Sequence, residues 1–81
     1  MPHLKPIGDN IMFDMKEVGR KIRAVRKKLG LTQTNFGKQL AGGGVTFNTV
    51  ARWEHGERTI TLENLFKIKE AFNVDWNDLL P

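Results

Sequence analysis

Cysteine is absent from the 81 residues of this chain, which excludes both disulfide bonds and thiolate metal sites. Only two histidines are present, His3 and His55, and their separation along the chain argues against a histidine metal site. A domain of this size without cross-links depends on apolar packing for its stability. We therefore expect one small domain with no metal and no cofactor.

Long apolar runs are also missing, since no stretch approaches the roughly 20 residues that a membrane-spanning helix needs. The first residues lack the continuous apolar segment of a signal peptide. We therefore expect a soluble, cytoplasmic protein. No pairing of a nucleophile with a base stands out, so the sequence also predicts that the protein is not an enzyme.

Acidic residues are outnumbered by basic ones, 9 against 13, and the sequence pI is about 9.8. The excess is concentrated between Lys16 and Lys28, where seven basic residues accompany the single acid Glu17. Such a segment favours a polyanionic partner, and a solvated helix face gives the same pattern. Composition alone leaves both interpretations open.

A helical repeat begins after Asp14, where apolar residues recur at steps of three and four. It predicts a first helix over residues 15–29, capped by Asp14 and stopped by Gly30. Four further helices are predicted after polar capping residues that each follow an apolar residue. These caps are Thr32, Thr46, Thr61 and Asp75.

No strand pattern or hairpin signal competes with this interpretation, so the predicted fold class is all-α, a compact bundle of about five short helices. Residues 1–13 carry turn-forming residues without a period and are predicted to form an irregular N-terminal arm, whereas residues 14–81 form the domain. The predicted core comprises Val18, Ile22, Val25, Leu29, Phe36, Leu40, Val50, Trp53, Leu62, Leu65, Phe66, Ile68, Phe72, Val74, Leu79 and Leu80.

The third helix has a polar face opposite its apolar one. Val50 and Trp53 define the inward side, and a rotation of about 100° per residue places Asn48 and Arg52 on the other side, next to Phe47. Asparagine can pair with an adenine edge, arginine with a guanine edge, and phenylalanine can touch a thymine methyl group. On an isolated helix the same side chains would simply be solvated.

The preceding helix supplies a context for this face. Gly37 permits close crossing of the second and third helices, and the N–H groups near Thr32 and Gln33 can bind a DNA phosphate. The two helices therefore fit a helix-turn-helix unit.

Four segments together carry a resemblance to a known family: Gly30-Leu31-Thr32-Gln33, Thr49-Val50-Ala51-Arg52-Trp53-Glu54-His55-Gly56, Thr61-Leu62-Glu63-Asn64-Leu65-Phe66-Lys67-Ile68 and Asn73-Val74-Asp75-Trp76. From Val18 to Leu80 the chain resembles the Cro/C1-type (lambda repressor-like, XRE family) helix-turn-helix DNA-binding domains. The resemblance implies a lambda repressor-like fold in which the second and third helices form the helix-turn-helix.

The resemblance also implies roles for particular residues. Gln33 and Arg58 correspond to phosphate contacts, while Arg26 and Glu54 correspond to a partly buried ion pair between the first and third helices. The base-reading positions are Phe47, Asn48, Thr49 and Arg52. One departure is the segment 41–45, Ala-Gly-Gly-Gly-Val, which makes the turn between the paired helices longer than usual by roughly three residues.

The predicted function is sequence-specific transcription regulation, most simply repression. A homodimer on a palindromic operator of double-stranded DNA is expected, because one recognition helix contacts too few base pairs for useful specificity. Trp76, Leu79 and Leu80 are candidates for the dimer surface, with core packing as the competing explanation. The alternatives are an antitoxin-like module that binds a partner protein as well as DNA, and the DNA-targeting fragment of a larger protein.

Overall fold

The computed structural model describes residues 4–7, 10–40 and 42–81. Two short strands precede four α-helices and one turn of 3-10 helix. In chain order these are β1 (Leu4–Ile7), β2 (Asn10–Phe13), α1 (Met15–Lys28), α2 (Gln33–Lys38), α3 (Phe47–His55), α4 (Leu62–Phe72) and the 3-10 helix Trp76–Asp78. The predicted compact bundle of about five short helices is confirmed. None of the helices in the described part of the chain is long and apolar enough to span a membrane.

The prediction of an irregular N-terminal arm is wrong for residues 4–7 and 10–13, since β1 and β2 pair as antiparallel strands. The pairing of Ile7 with Asn10 leaves only Gly8 and Asp9 between the strands. Glycine followed by a polar residue is a typical two-residue hairpin sequence. Pro6 obscured this signal, because proline cannot donate a hydrogen bond to a neighbouring strand.

The helix starts follow the predicted caps. The hydroxyl groups of Thr32, Thr46 and Thr61 accept hydrogen bonds from backbone N–H groups three residues later, at 3.1, 3.4 and 3.2 Å respectively. The Asp14 carboxylate accepts the N–H of Lys16 at 3.0 Å. Each cap satisfies a donor that the helix itself leaves unpaired, so these starts are encoded locally.

The core lies where α1, α2, α3 and α4 meet. Its buried apolar residues are Val18, Ile22, Val25, Phe36, Leu40, Val50, Trp53, Ile60, Leu65, Ile68 and Leu79. Most of the predicted core is confirmed. Ile60, which is 5% exposed, was not predicted in the core, because it precedes the α4 cap and belongs to no helical stripe.

Three residues predicted in the core are exposed instead: Leu29 by 45%, Leu62 by 69% and Phe66 by 51%. Leu29 is the C-terminal cap residue of α1 and lies beyond the part of the helix that the core covers. Leu62 and Phe66 lie one turn apart on α4, on a face turned about 90° to 130° away from the direction in which the core residues of α4 point.

The C-terminal residues belong to the core rather than to a free surface. Leu79 is fully buried, while Trp76 and Leu80 are partly buried and pack against the core. Core packing therefore accounts for Leu79, while Trp76 and Leu80 pack against the core and keep part of their surface exposed.

Two glycines set how closely α3 approaches its neighbours. A Cβ atom at Gly37 would overlap the carbonyl oxygen of Val45, as close crossing of α2 and α3 predicts. A Cβ atom at Gly19 would overlap the carbonyl oxygen of Trp53 and lie 2.6 Å from that of Glu54. The role of Gly19 was not predicted, since a glycine inside a helix does not by itself show which backbone passes beside it.

Candidate nucleic-acid interface

Helix α3 divides cleanly into a buried side and an exposed side. Val50 and Trp53 are 0% and 3% exposed and anchor the helix in the core. On the other side Phe47 is 52% exposed, and Asn48 and Arg52 are exposed as well. The helix is held by its apolar side while an amide, a guanidinium and an aromatic ring face outward.

Thr49, the remaining predicted base-reading residue, is only half-exposed. Its N–H donates to the hydroxyl of Thr46 at 3.4 Å, and the two hydroxyl groups also lie 3.4 Å apart. Thr49 therefore belongs to the cap that orients the first turn of α3, which leaves less of its side chain for a ligand than its neighbours have.

Behind the exposed face, α1 and α3 are joined by the ion pair of Arg26 and Glu54. Nε of Arg26 lies 2.6 Å from Oε2 of Glu54, and Nη2 lies 3.0 Å from Oε1, so the contact is two-pronged. The side chains are only 11% and 2% exposed. The hydrogen bond to Glu54 raises the pKa of Arg26, a shift that burial partly opposes. Arg26 is thus engaged inside the protein.

The Glu54 carboxylate also contacts the start of α2. Nε2 of Gln33, in the first turn of α2, donates to Oε1 of Glu54 at 3.3 Å. Nη1 of Arg26 donates to the carbonyl oxygen of Leu31, just before the α2 cap, at 3.0 Å. Glu54 therefore ties the start of α2 to both α1 and α3. This role of Gln33 was missed, because no local pattern links residues 21 positions apart.

The two other predicted phosphate contacts lie at the ends of the helix-turn-helix. Thr32 is exposed at the start of α2, and its hydroxyl is engaged in the cap. Arg58 is exposed in the segment that follows α3, where the N–H of Glu57 still bonds to the carbonyl of Arg52 at 3.0 Å. The chain therefore turns after α3, and Arg58 follows the last residue of that helix by three positions.

The lengthened turn between α2 and α3 is built on three successive left-handed glycines. Gly42, Gly43 and Gly44 have φ angles of 86°, 64° and 76°, which confirms that they absorb the extra chain through positive φ. A Cβ atom on any of them would meet nothing within 4 Å. Glycine is therefore favoured at these positions by the positive φ angles and not by a close contact with another residue. Ala41, the first residue of the segment, lies outside the described residues.

The family model of the helix-turn-helix proteins matches residues 22–79 of this chain. The chain belongs to this helix-turn-helix family. The match covers the network around Glu54, the glycine turn and the whole of α3, and it begins inside α1.

Solved structures of the family share the fold over most of their length. The DNA-binding domain of BldD from S. venezulae is 28% identical, with a TM-score of 0.72 over 84% of this chain and 97% of that one. The restriction-modification controller protein C.AhdI from Aeromonas hydrophila is 27% identical, with a TM-score of 0.70 over 82% of this chain and 91% of that one. The Cro/C1-type, lambda repressor-like prediction is confirmed, and the helix-turn-helix domain has the fold of DNA-binding regulators.

Sequence similarity extends to a larger protein. Antitoxin PezA from Streptococcus pneumoniae serotype 4 is 30% identical over 63 residues, which are 78% of this chain. The chain spans 38% of the length of that relative.

Proposed function

We propose that this helix-turn-helix domain acts as a sequence-specific transcription regulator that reads DNA bases with the exposed face of α3. The observation that supports this most is the division of α3, where buried Val50 and Trp53 orient exposed Asn48 and Arg52. Asparagine pairs with adenine and arginine with guanine through two hydrogen bonds, each pair giving about 1 to 3 kcal/mol of discrimination. Phe47 adds an apolar contact to a thymine methyl group.

Phosphate contacts from Thr32, Gln33 and Arg58 would hold α3 in register. The amide of Gln33 has two hydrogens, of which one reaches Glu54 in this structure. The second hydrogen and the backbone of the first turn of α2 would bind a phosphate oxygen. Glu54 would then couple the phosphate contact to the reading helix, since Glu54 itself lies on α3 and its carboxylate accepts the hydrogen bond from Gln33.

We infer further that the regulator binds its operator as a homodimer through α4. Leu62 and Phe66 are 69% and 51% exposed and lie one turn apart on this helix. Large apolar side chains grouped on an exposed face mark association surfaces. Glu63 and Lys67 lie alongside them, 3.8 Å apart, so two antiparallel copies would bring opposite charges together. A two-fold pair of α3 helices matches a palindromic operator.

We infer that the domain represses transcription. Occupation of a DNA site that overlaps a promoter would block access of the polymerase without any further activity of the chain. Such a regulator acts in the cytoplasm, at the nucleoid.

An antitoxin role is the second candidate, and the similarity to PezA favours it. In that case the chain corresponds to the DNA-binding part of an antitoxin, and neutralisation of a partner protein accompanies regulation. The two candidates share the same α3 interface and differ in whether a protein partner is bound.

Selection of bound duplexes from a random DNA pool tests the proposal. We expect a palindromic motif, and we expect Asn48→Ala and Arg52→Ala each to relax one base pair per half-site by about 1 to 3 kcal/mol. Lys28→Ala, on the flank of α1 away from α3, removes a similar charge and serves as the control. An unaltered motif and affinity in both α3 variants would show that another element reads the DNA. If the chain bound a partner protein tightly and no DNA motif were enriched, the antitoxin role would be favoured.

A further inference from the structure

A groove of about 440 Å³ lies between the last turns of α1 and the C-terminal segment. This volume falls within the range of roughly 300 to 1,000 Å³ that is usual for binding sites. Apolar side chains line most of it, and lysines from two turns of α1 stand at its edge. The lining includes Ala24, Val25, Leu29, Val74, Lys21 and Lys28.

The groove lies on the flank of α1 that faces away from α3. At about 100° per residue, Arg26 points roughly 140° away from Lys21 and 160° away from Lys28 around the helix. Arg26 contacts α3 through Glu54, whereas Nζ of Lys21 donates to the carbonyl oxygen of Asn77 at 2.6 Å. A ligand in the groove therefore leaves the exposed face of α3 free for DNA.

The two lysines indicate an extended ligand rather than a compact one. Lys21 and Lys28 are seven residues apart, which corresponds to about 10 Å along the helix axis. A ligand that extends along two turns of α1 can pair with both ammonium groups while it covers the apolar side chains between them. A second helix that carries carboxylates seven residues apart has the same spacing, and its apolar side chains between them would cover Ala24 and the 45% exposed Leu29.

We propose that this groove docks an acidic amphipathic helix of a partner protein. The apolar face of the partner lies on the groove floor, and one carboxylate pairs with each lysine. Asp78, on the opposite wall, keeps its carboxylate on the N–H of Asp75 at 3.0 Å. Its negative charge disfavours partner carboxylates on that wall, so the acidic edge of the partner must face α1.

The probe is a synthetic 15-residue helix-forming peptide with a leucine stripe and two glutamates seven residues apart beside it. A second peptide of the same composition carries the glutamates on the opposite face. Backbone amide shifts of the whole chain are followed by NMR, with and without a DNA duplex. We expect shifts confined to residues 21–29 and 74–78 with the first peptide, weaker binding of the second, and no competition by DNA.

Variants of the chain complete the test. Lys28→Glu should weaken binding of the first peptide by roughly fivefold or more, because one exposed ion pair becomes a repulsion. Lys27→Glu makes the same change of charge outside the groove and should alter the affinity by less than about twofold. Leu29→Gln should weaken binding without reversing charge, and melting curves check that each variant is folded.

Equal binding of the two peptides, equal effects of Lys28→Glu and Lys27→Glu, or shifts spread over all basic residues of α1 would each overturn the proposal. Because no residue of α3 lines the groove, Asn48→Ala should leave peptide binding unchanged. Failure of DNA reading by α3 is thereby distinguishable from failure of the groove.

Discussion

The substitution Glu54→Ala tests how the reading helix is held. Its carboxylate takes two hydrogen bonds from Arg26, at 2.6 and 3.0 Å, and one from Gln33 at 3.3 Å. Removing it leaves the Arg26 guanidinium, only 11% exposed, without its counter-charge. Breaking a buried pair from one side costs about 3 to 5 kcal/mol. A domain of 81 residues has a total stability of about 4 to 12 kcal/mol, so the loss is a large fraction of it.

Urea unfolding followed by tryptophan fluorescence measures this loss directly, since Trp53 precedes Glu54 in the chain and is buried. The melting temperature should fall by more than about 10 °C, given roughly 4 to 8 °C per kcal/mol for a domain of this size. Glu63→Ala is the matched control, because its pair with Lys67 is exposed and should contribute less than about 0.5 kcal/mol.

A double variant separates the pair from the individual residues. Arg26→Met with Glu54→Leu removes both charges and keeps apolar volume, so it should be more stable than Glu54→Ala by about 2 kcal/mol or more. The reasoning is refuted if Glu54→Ala loses less than about 1 kcal/mol, or if the double variant loses the sum of the two single losses.

Three further outcomes are expected. Arg58→Ala should weaken binding to all DNA sequences alike, and the slope of log affinity against log salt concentration should fall by about one unit. A base-specific loss would instead place Arg58 at the base edges in a groove of the DNA. Shortening residues 42–44 toward the family's usual turn should keep the melting temperature and modestly lower operator affinity, and loss of folding would show that the turn is structural. Phe66→Ser should shift a dimer toward monomer in sedimentation equilibrium at unchanged helix content, and an unchanged association constant would remove α4 from the dimer surface.

The helix starts and the character of α3 were predictable from sequence because their causes are local. Thr32, Thr46 and Thr61 bond to N–H groups only three residues away, so each cap is visible in a short window. The apolar positions Val50 and Trp53 imply, by helical rotation alone, that Asn48 and Arg52 lie on the other side.

Which apolar side chains at the margins of the core are exposed could be learned only from the tertiary structure. Leu29, Leu62 and Phe66 are large and apolar like core residues, yet their burial depends on whether another element covers that side of the helix. The pairing of β1 with β2 was missed for a different reason, because the hairpin signal was a single dipeptide beside a proline.

The sequence by itself determined where α3 begins and which of its side chains face outward, since both depend on residues within a few positions of one another. Only the tertiary structure decided how α3 is held, through Gly19 against the carbonyl of Trp53 and through Gln33 and Arg26 on one carboxylate of Glu54. Those contacts join residues 21 to 34 positions apart, and side-chain chemistry alone does not determine which distant partner the packing of helices brings within hydrogen-bonding distance.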